Sequence, residues 1–195
     1  MFHPAGATPR RKVGHAMNRR DAKRTSPPPP GEEAEREFDR LLALHETGLL
    51  DPPAPPELAA ICEEARARFG VAAALVTLVD RDRLVIPVDG EALPRDVAFC
   101  DWTIQADDVF VVPDLSRDPR FQGNPLVVGE PFHRFYAGAP LIYLDGIRLG
   151  SLCLLDPSPR DFSLGERAEL AAMADQVVAV IADREFPPAA DLAVR

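Results

Sequence analysis

The chain has 195 residues, 46% of them hydrophobic and 27% charged, enough for one folded domain with tails. Its net charge of −9 is divided unevenly: residues 1–30 carry seven Lys and Arg against Asp21 alone, and the remainder carries fifteen against thirty acids. A body at −15 argues against a duplex nucleic-acid surface, three cysteines without C-x-x-C spacing argue against zinc-ribbon or thioredoxin chemistry, and no apolar run approaches the ~18 residues of a membrane span.

The N-terminus has no apolar signal core, and the cysteine usage suits a reducing compartment, so the expected location is cytoplasmic. Residues 1–32 read as a disordered, basic, proline-rich arm ending in Pro27 to Pro30. The folded domain is expected over 33–187, with a tail at 188–195.

Residues 32–46 predict a helix with Glu32, Glu33 and Glu35 in its first turn, where the helix dipole favours acids. Phe38, Leu41, Leu42 and His45 form its stripe, and Gly48 follows its last turn. After the turn Asp51 to Pro56, residues 57–69 predict a second helix with Leu58, Ile61, Cys62, Ala65 and Phe69 on one face and Gly70 at its end. Val71 to Val79 reads as a buried strand, and Asp80-Arg81-Asp82 turns it into an antiparallel partner over Arg83 to Val88.

Residues 89–98 read as loop and Phe99 to Gln105 as a short helix. Val109 to Val112 is a brief strand, followed by a long irregular connection, Pro113 to Gly129. Phe135 to Tyr143 and Ile147 to Leu155 are strands joined around Asp145-Gly146, a hairpin signal. Ser163 to Glu185 is a closing helix, with Ser163 and Glu166 spaced as a capping box. Hairpins dominate and no βαβ crossover is visible, which predicts an α+β domain: an antiparallel sheet with helices packed on one face.

Several segments resemble the bacterial GAF domain family, over about Glu35 to Glu185. They are Leu44 to Asp51, Phe99-Cys100-Asp101-Trp102-Thr103-Ile104, Val111 to Asp114 with Asp118 to Phe121, Asn124 to Val127, Arg134 to Leu141 and Leu149 to Asp156. The resemblance is to members that stand alone or precede histidine kinase and diguanylate cyclase modules. It implies a GAF/PAS-like sheet and a signalling role without covalent chemistry of its own, in which an unidentified small molecule is sensed. No output segment is recognised after residue 186, so the resemblance implies a separate signalling partner protein. It also implies a homodimer through the terminal helices, with Leu41, Leu42, Val177 and Ile181 facing a second copy. The residues of cyclic-nucleotide-binding members are not recognised. Cys100 is followed by Asp101 rather than the histidine common in bilin-binding members. The cysteines do not match the methionine sulfoxide reductase branch, and no cofactor is named.

In such a fold the pocket is expected near Phe99, Cys100, Trp102, Asp114, Arg120, Phe121, Phe135 and Tyr136. Phe99 and Trp102 either floor that pocket, with Asp101 as its carboxylate, or plug the core. Asp114, Asp118, Arg120 and Asn124 either contact a ligand or hold the long loop, with Arg120 paired to Asp114. Cys100 is a redox thiol or an inert core residue, and Cys62 and Cys153 read as core. Arg134 and Tyr136 share one strand face and Phe135 and Ala137 the other. Neither the histidines nor the cysteines have metal-ligand spacing, and no nucleophilic triad, P-loop or G-x-G-x-x-G is present. An interaction module, and after it a thiol-based redox sensor or a methionine sulfoxide reductase-like enzyme, remain as alternatives to ligand sensing.

Overall fold

A computed structural model describes residues 30–51 and 53–185. The expected N-terminal arm and C-terminal tail lie almost wholly outside the described residues. Six strands form one antiparallel sheet in the order β3-β2-β1-β6-β5-β4. They are β1 (Ala73–Val79), β2 (Arg83–Ile86), β3 (Glu91–Pro94), β4 (Phe110–Val112), β5 (Phe135–Ile142) and β6 (Arg148–Asp156). The main helices are α1 (Pro30–Glu46), α2 (Pro56–Phe69) and α5 (Leu164–Glu185), and single turns α3 (Cys100–Thr103) and α4 (Pro125–Val128) punctuate the middle.

The sheet has two covered faces because its strands alternate. Ala74, Val76 and Leu78 of β1 and Phe135, Ala137, Ala139 and Leu141 of β5 face the large helices, where they meet Leu44, Leu58, Leu170 and Val177 in the main core. Leu75, Val79, Tyr136, Cys153 and Leu155 belong to a second core on the opposite face, covered by α3, α4 and the long connection. Pairing Pro140↔Ser151 and Ile142↔Arg148 puts one extra residue into β6. That bulge resets the alternation, so Leu149 and Leu152 join the same core despite their odd spacing.

Local signals act as the residues dictate. Gly48 and Gly70 have φ of 63° and 61°, the left-handed conformation that ends α1 and α2. The β5–β6 turn places Asp145 and Gly146 at φ 56° and 77°. At the start of α5 the capping box closes in both directions: the Glu166 amide donates to Ser163 Oγ at 3.2 Å, and the Ser163 amide donates to Glu166 Oε2 at 2.7 Å.

Three expectations change. Residues 89–98 contain β3, an edge strand paired only to β2 through Leu84↔Leu93 and mostly exposed, so it lacks an alternating apolar signature. The helix expected over Phe99 to Gln105 is one turn, Cys100–Thr103. The dimer face expected at Leu41, Leu42, Val177 and Ile181 is largely interior: Leu41, Val177 and Ile181 are buried within the chain, while Leu42 and Phe38 are 50% and 62% exposed. Alpha1 rotates Arg40, Leu41 and Leu44 inward, because Arg40 reaches the Val79 carbonyl at 2.6 Å.

Candidate functional site

The second core is an aromatic assembly carried mostly by loop. Phe99 lies between Phe121 and Tyr136, with ring centroids 5.4 Å from each. Phe110 of β4 stands 6.2 Å from Phe121 and 6.0 Å from Tyr136. Trp102 meets the edge of Phe121 at 5.6 Å and is 45% exposed. Above these rings sits Arg120, its guanidinium carbon 5.1–5.2 Å from the centroids of Trp102, Phe110 and Phe121. Two bonds to the Asp118 carboxylate, at 2.9 and 2.6 Å, hold that guanidinium in place. The hydrogen bond from Arg120 keeps the Asp118 carboxyl below its ordinary range.

Of the eight expected site residues, Phe99, Trp102, Arg120, Phe121 and Tyr136 converge here, and Cys100 lies directly beneath. Phe135 does not: it is fully buried in the main core on the other face, as strand alternation requires of a neighbour of Tyr136. Asp114 stands apart, turning the chain by accepting from the Ser116 amide and hydroxyl at 3.0 and 2.6 Å. Its ion partner is Arg117 at 3.3 Å, so the expected Arg120–Asp114 pair is corrected to Arg120–Asp118. Asn124 is structural as well: it caps α4 through the Leu126 amide and donates to the Val97 carbonyl, each at 2.9 Å.

Phe110 was not among the expected residues, although its register opposite Gly138 puts it on the same face as Tyr136. The polar floor was missed too. Tyr136 Oη lies 2.6 Å from Thr103 Oγ1 and donates to Cys100 Sγ at 3.4 Å. Thr77 and Ser151 share a hydroxyl contact of 3.0 Å beside them. Cys153, read as core, sits opposite Gly138 on β6 with its sulfur 3.9 Å from that of Cys100. Only strand register brings these residues together. The rings fill their own space: Phe99, Phe121 and Tyr136 are no more than 3% exposed. Two surface clefts lie elsewhere, one between α2 and the β1–β2 strands beside Cys62, the other along α1.

Arg95 connects this face to α1. It donates to Glu37 of α1 at 2.6 Å, to Asp101 of α3 at 2.7 Å and to the Asp80 carbonyl in the β1–β2 turn at 3.1 Å. Burial alone would raise the Glu37 pKa, but the bonds from Arg40 and Arg95 outweigh it and hold the carboxyl at about 2. Among the described residues no group of three or more His, Cys, Asp or Glu is placed to hold a metal ion, and no helix is long and apolar enough to cross a membrane.

The family model for the GAF domain matches residues 56–181. A cyclic di-GMP phosphodiesterase of Pseudomonas aeruginosa is 40% identical over 130 residues, which cover 65% of this chain and 22% of that protein. The chain thus spans about a fifth of its curated relative. Among solved structures, the GAF domain of a phosphoenolpyruvate-protein phosphotransferase from Coxiella burnetii superposes with a TM-score of 0.57 at 17% identity, covering 83% of this chain and 99% of that one. A free methionine-R-sulfoxide reductase from Neisseria meningitidis superposes with a TM-score of 0.53 at 20% identity, covering 83% and 94%. These findings overturn the expectation of a domain without covalent chemistry. The curated relative carries an enzyme's name and the fold houses a reductase, so catalysis stands open for this chain.

Proposed function

The chain belongs to the GAF domain family, and from that premise we propose that it serves signal transduction by sensing a small molecule at the face capped by Trp102, Phe110, Arg120 and Phe121. The observation that carries this reading is the Arg120 guanidinium stacked over three rings on a loop, with Trp102 half in solvent. Planar cation and exposed indole together offer stacking area and directed donors, the mixture a small-molecule site needs. Each of the three cation–π contacts of Arg120 is worth about 0.5–1 kcal/mol, and a ligand that supplies its own ring and anion replaces them together with the bonds to Asp118. A ligand that stacks on Trp102 and engages Arg120 would draw it from Asp118 and favour a second arrangement of the loop. A related module within a protein named a cyclic di-GMP phosphodiesterase supports the signalling role.

Trp102 is the sole tryptophan, so its fluorescence reads the site directly. Titration with a panel of nucleotides, amino acids and carboxylates is expected to yield a saturable change with a matching rise in Tm. Trp102→Ala should lose that rise in Tm, and Arg120→Ala should weaken binding about tenfold or more, the ~1.5–3 kcal/mol of a charged hydrogen bond. Panel-wide silence, or a Tm response indifferent to both substitutions, would place sensing elsewhere. A second reading, homodimerisation through α1, is favoured by the adjacent exposed side chains of Phe38 and Leu42 one turn apart.

A further inference from the structure

Beneath the aromatic cap, a sheet otherwise lined by apolar side chains holds a tight group of sulfur and oxygen atoms. Cys100 arrives on the single turn α3 and Cys153 on the central strand β6, 53 residues apart in sequence, and their sulfurs lie 3.9 Å apart. Both residues are buried, and neither is in a disulfide. The Tyr136 hydroxyl donates to the Cys100 sulfur at 3.4 Å, beside the Thr77 and Ser151 hydroxyls, which pair with each other at 3.0 Å. Packing alone gives no reason for a fully buried phenol to aim its hydroxyl at a thiol. Stabilising its anion does, because a thiolate is a far better acceptor than a thiol.

We propose that Cys100 and Cys153 form a peroxide-responsive dithiol, which closes to an intramolecular disulfide and draws α3 onto the sheet. The Cys100 thiolate attacks one oxygen of a hydroperoxide. The O–O bond breaks, the second oxygen leaves as hydroxide and becomes water on protonation, and Cys100 is left as a sulfenic acid. The Cys153 sulfur then attacks the Cys100 sulfur. The S–S bond forms, the S–O bond breaks, and the departing oxygen leaves as water with the Cys153 proton. Two thiols lose two electrons and two protons, and one hydrogen peroxide becomes two waters.

The division of labour follows from the surroundings. The contact with Cys153 and the hydrogen bond from Tyr136 lower the Cys100 thiol against the cost of burial. The bond to Cys100, and then burial, push the Cys153 thiol up. Cys100, which receives the Tyr136 hydroxyl and sits on a single turn flanked by loop, is therefore the attacking sulfur, and Cys153 on the central strand the resolving one. Closing 3.9 Å to the ~2.05 Å of a disulfide requires a shift that a four-residue turn flanked by loop can make and a central strand cannot. Cys62 is excluded by position: it lies on α2, on the other side of the sheet, and burial raises its pKa. The dithiol operates whether or not the cap above it takes a ligand.

Reduced full-length protein exposed to stoichiometric hydrogen peroxide, alkylated after denaturation and mapped by mass spectrometry, tests this without any substitution. The expected product has lost two of its three free thiols, contains a linked Cys100–Cys153 peptide pair, and returns to the starting mass with dithiothreitol. Trp102 emission should shift with the same time course, since α3 carries both Trp102 and Cys100. In Cys153→Ser, dimedone should trap a sulfenic acid on Cys100, and Cys62→Ser should behave as the unaltered chain. Three intact thiols after an exposure that oxidises free cysteine, or a link involving Cys62, would overturn the proposal.

Discussion

Gly138 shows how closely single residues set the site. A Cβ on it would run into Tyr136 Oη and Thr103 Oγ1, the pair that bridges β5 to α3. The missing side chain is the space that lets a buried phenol lie flat across the strand and reach Cys100. Gly138→Ala is expected to cost about 1–3 kcal/mol, as overpacking does in a filled core, measured by urea unfolding, and to red-shift Trp102 emission as α3 is pushed outward. A substitution tolerated without either change would mean that the face is looser than its contacts imply. The strand face of Tyr136 was legible from alternation, but its partners were not. Thr77, Thr103 and the Ser151–Cys153 pair come from three separate elements, β1, α3 and β6, and nothing in their spacing announces that they meet.

Elements were read more reliably than residues wherever the residues carried a local physical cause. The Ser163–Glu166 box, the Gly70 stop of α2 and the Asp145-Gly146 turn each follow from a backbone need that few side chains satisfy. Beta3 escaped because an exposed edge strand of four residues has little burial to shape its sequence. The Arg95 network escaped because ion pairs between α1, α3 and the β1–β2 turn leave no periodicity. That network predicts a pH dependence. Glu37 has a folded pKa of about 2 against an ordinary value of 4.5, so the stability it contributes is complete above the higher figure and is lost as pH falls through the lower. Urea midpoints are expected to decline across that interval. Glu37→Gln should flatten that decline and lower the plateau near neutrality. An unchanged acid limb would assign the loss to other carboxylates, Asp80 first, whose pKa is also depressed.

At the scale of the whole molecule, the helical layer leaves an apolar strip uncovered, Phe38 and Leu42 on α1, lining the groove that runs to Arg148. Sedimentation equilibrium is expected to show a dimer that Phe38→Glu together with Leu42→Glu converts to a monomer of unchanged Tm. A monomer at every concentration would retire that reading. The sheet order has a different consequence, for synthesis. Beta1 lies between β2 and β6, and its longest pairing, Ala73↔Leu155 through Leu78↔Gly150, joins segments more than seventy residues apart. A nascent chain that has delivered α1, α2 and the β1–β3 meander therefore waits with one edge of β1 unpaired. Only the emergence of β6 closes that edge, and α5 then covers β5 and β6. The domain thus reaches its native state late and nearly at once, and its exposed intermediate is the species a chaperone would meet on the ribosome.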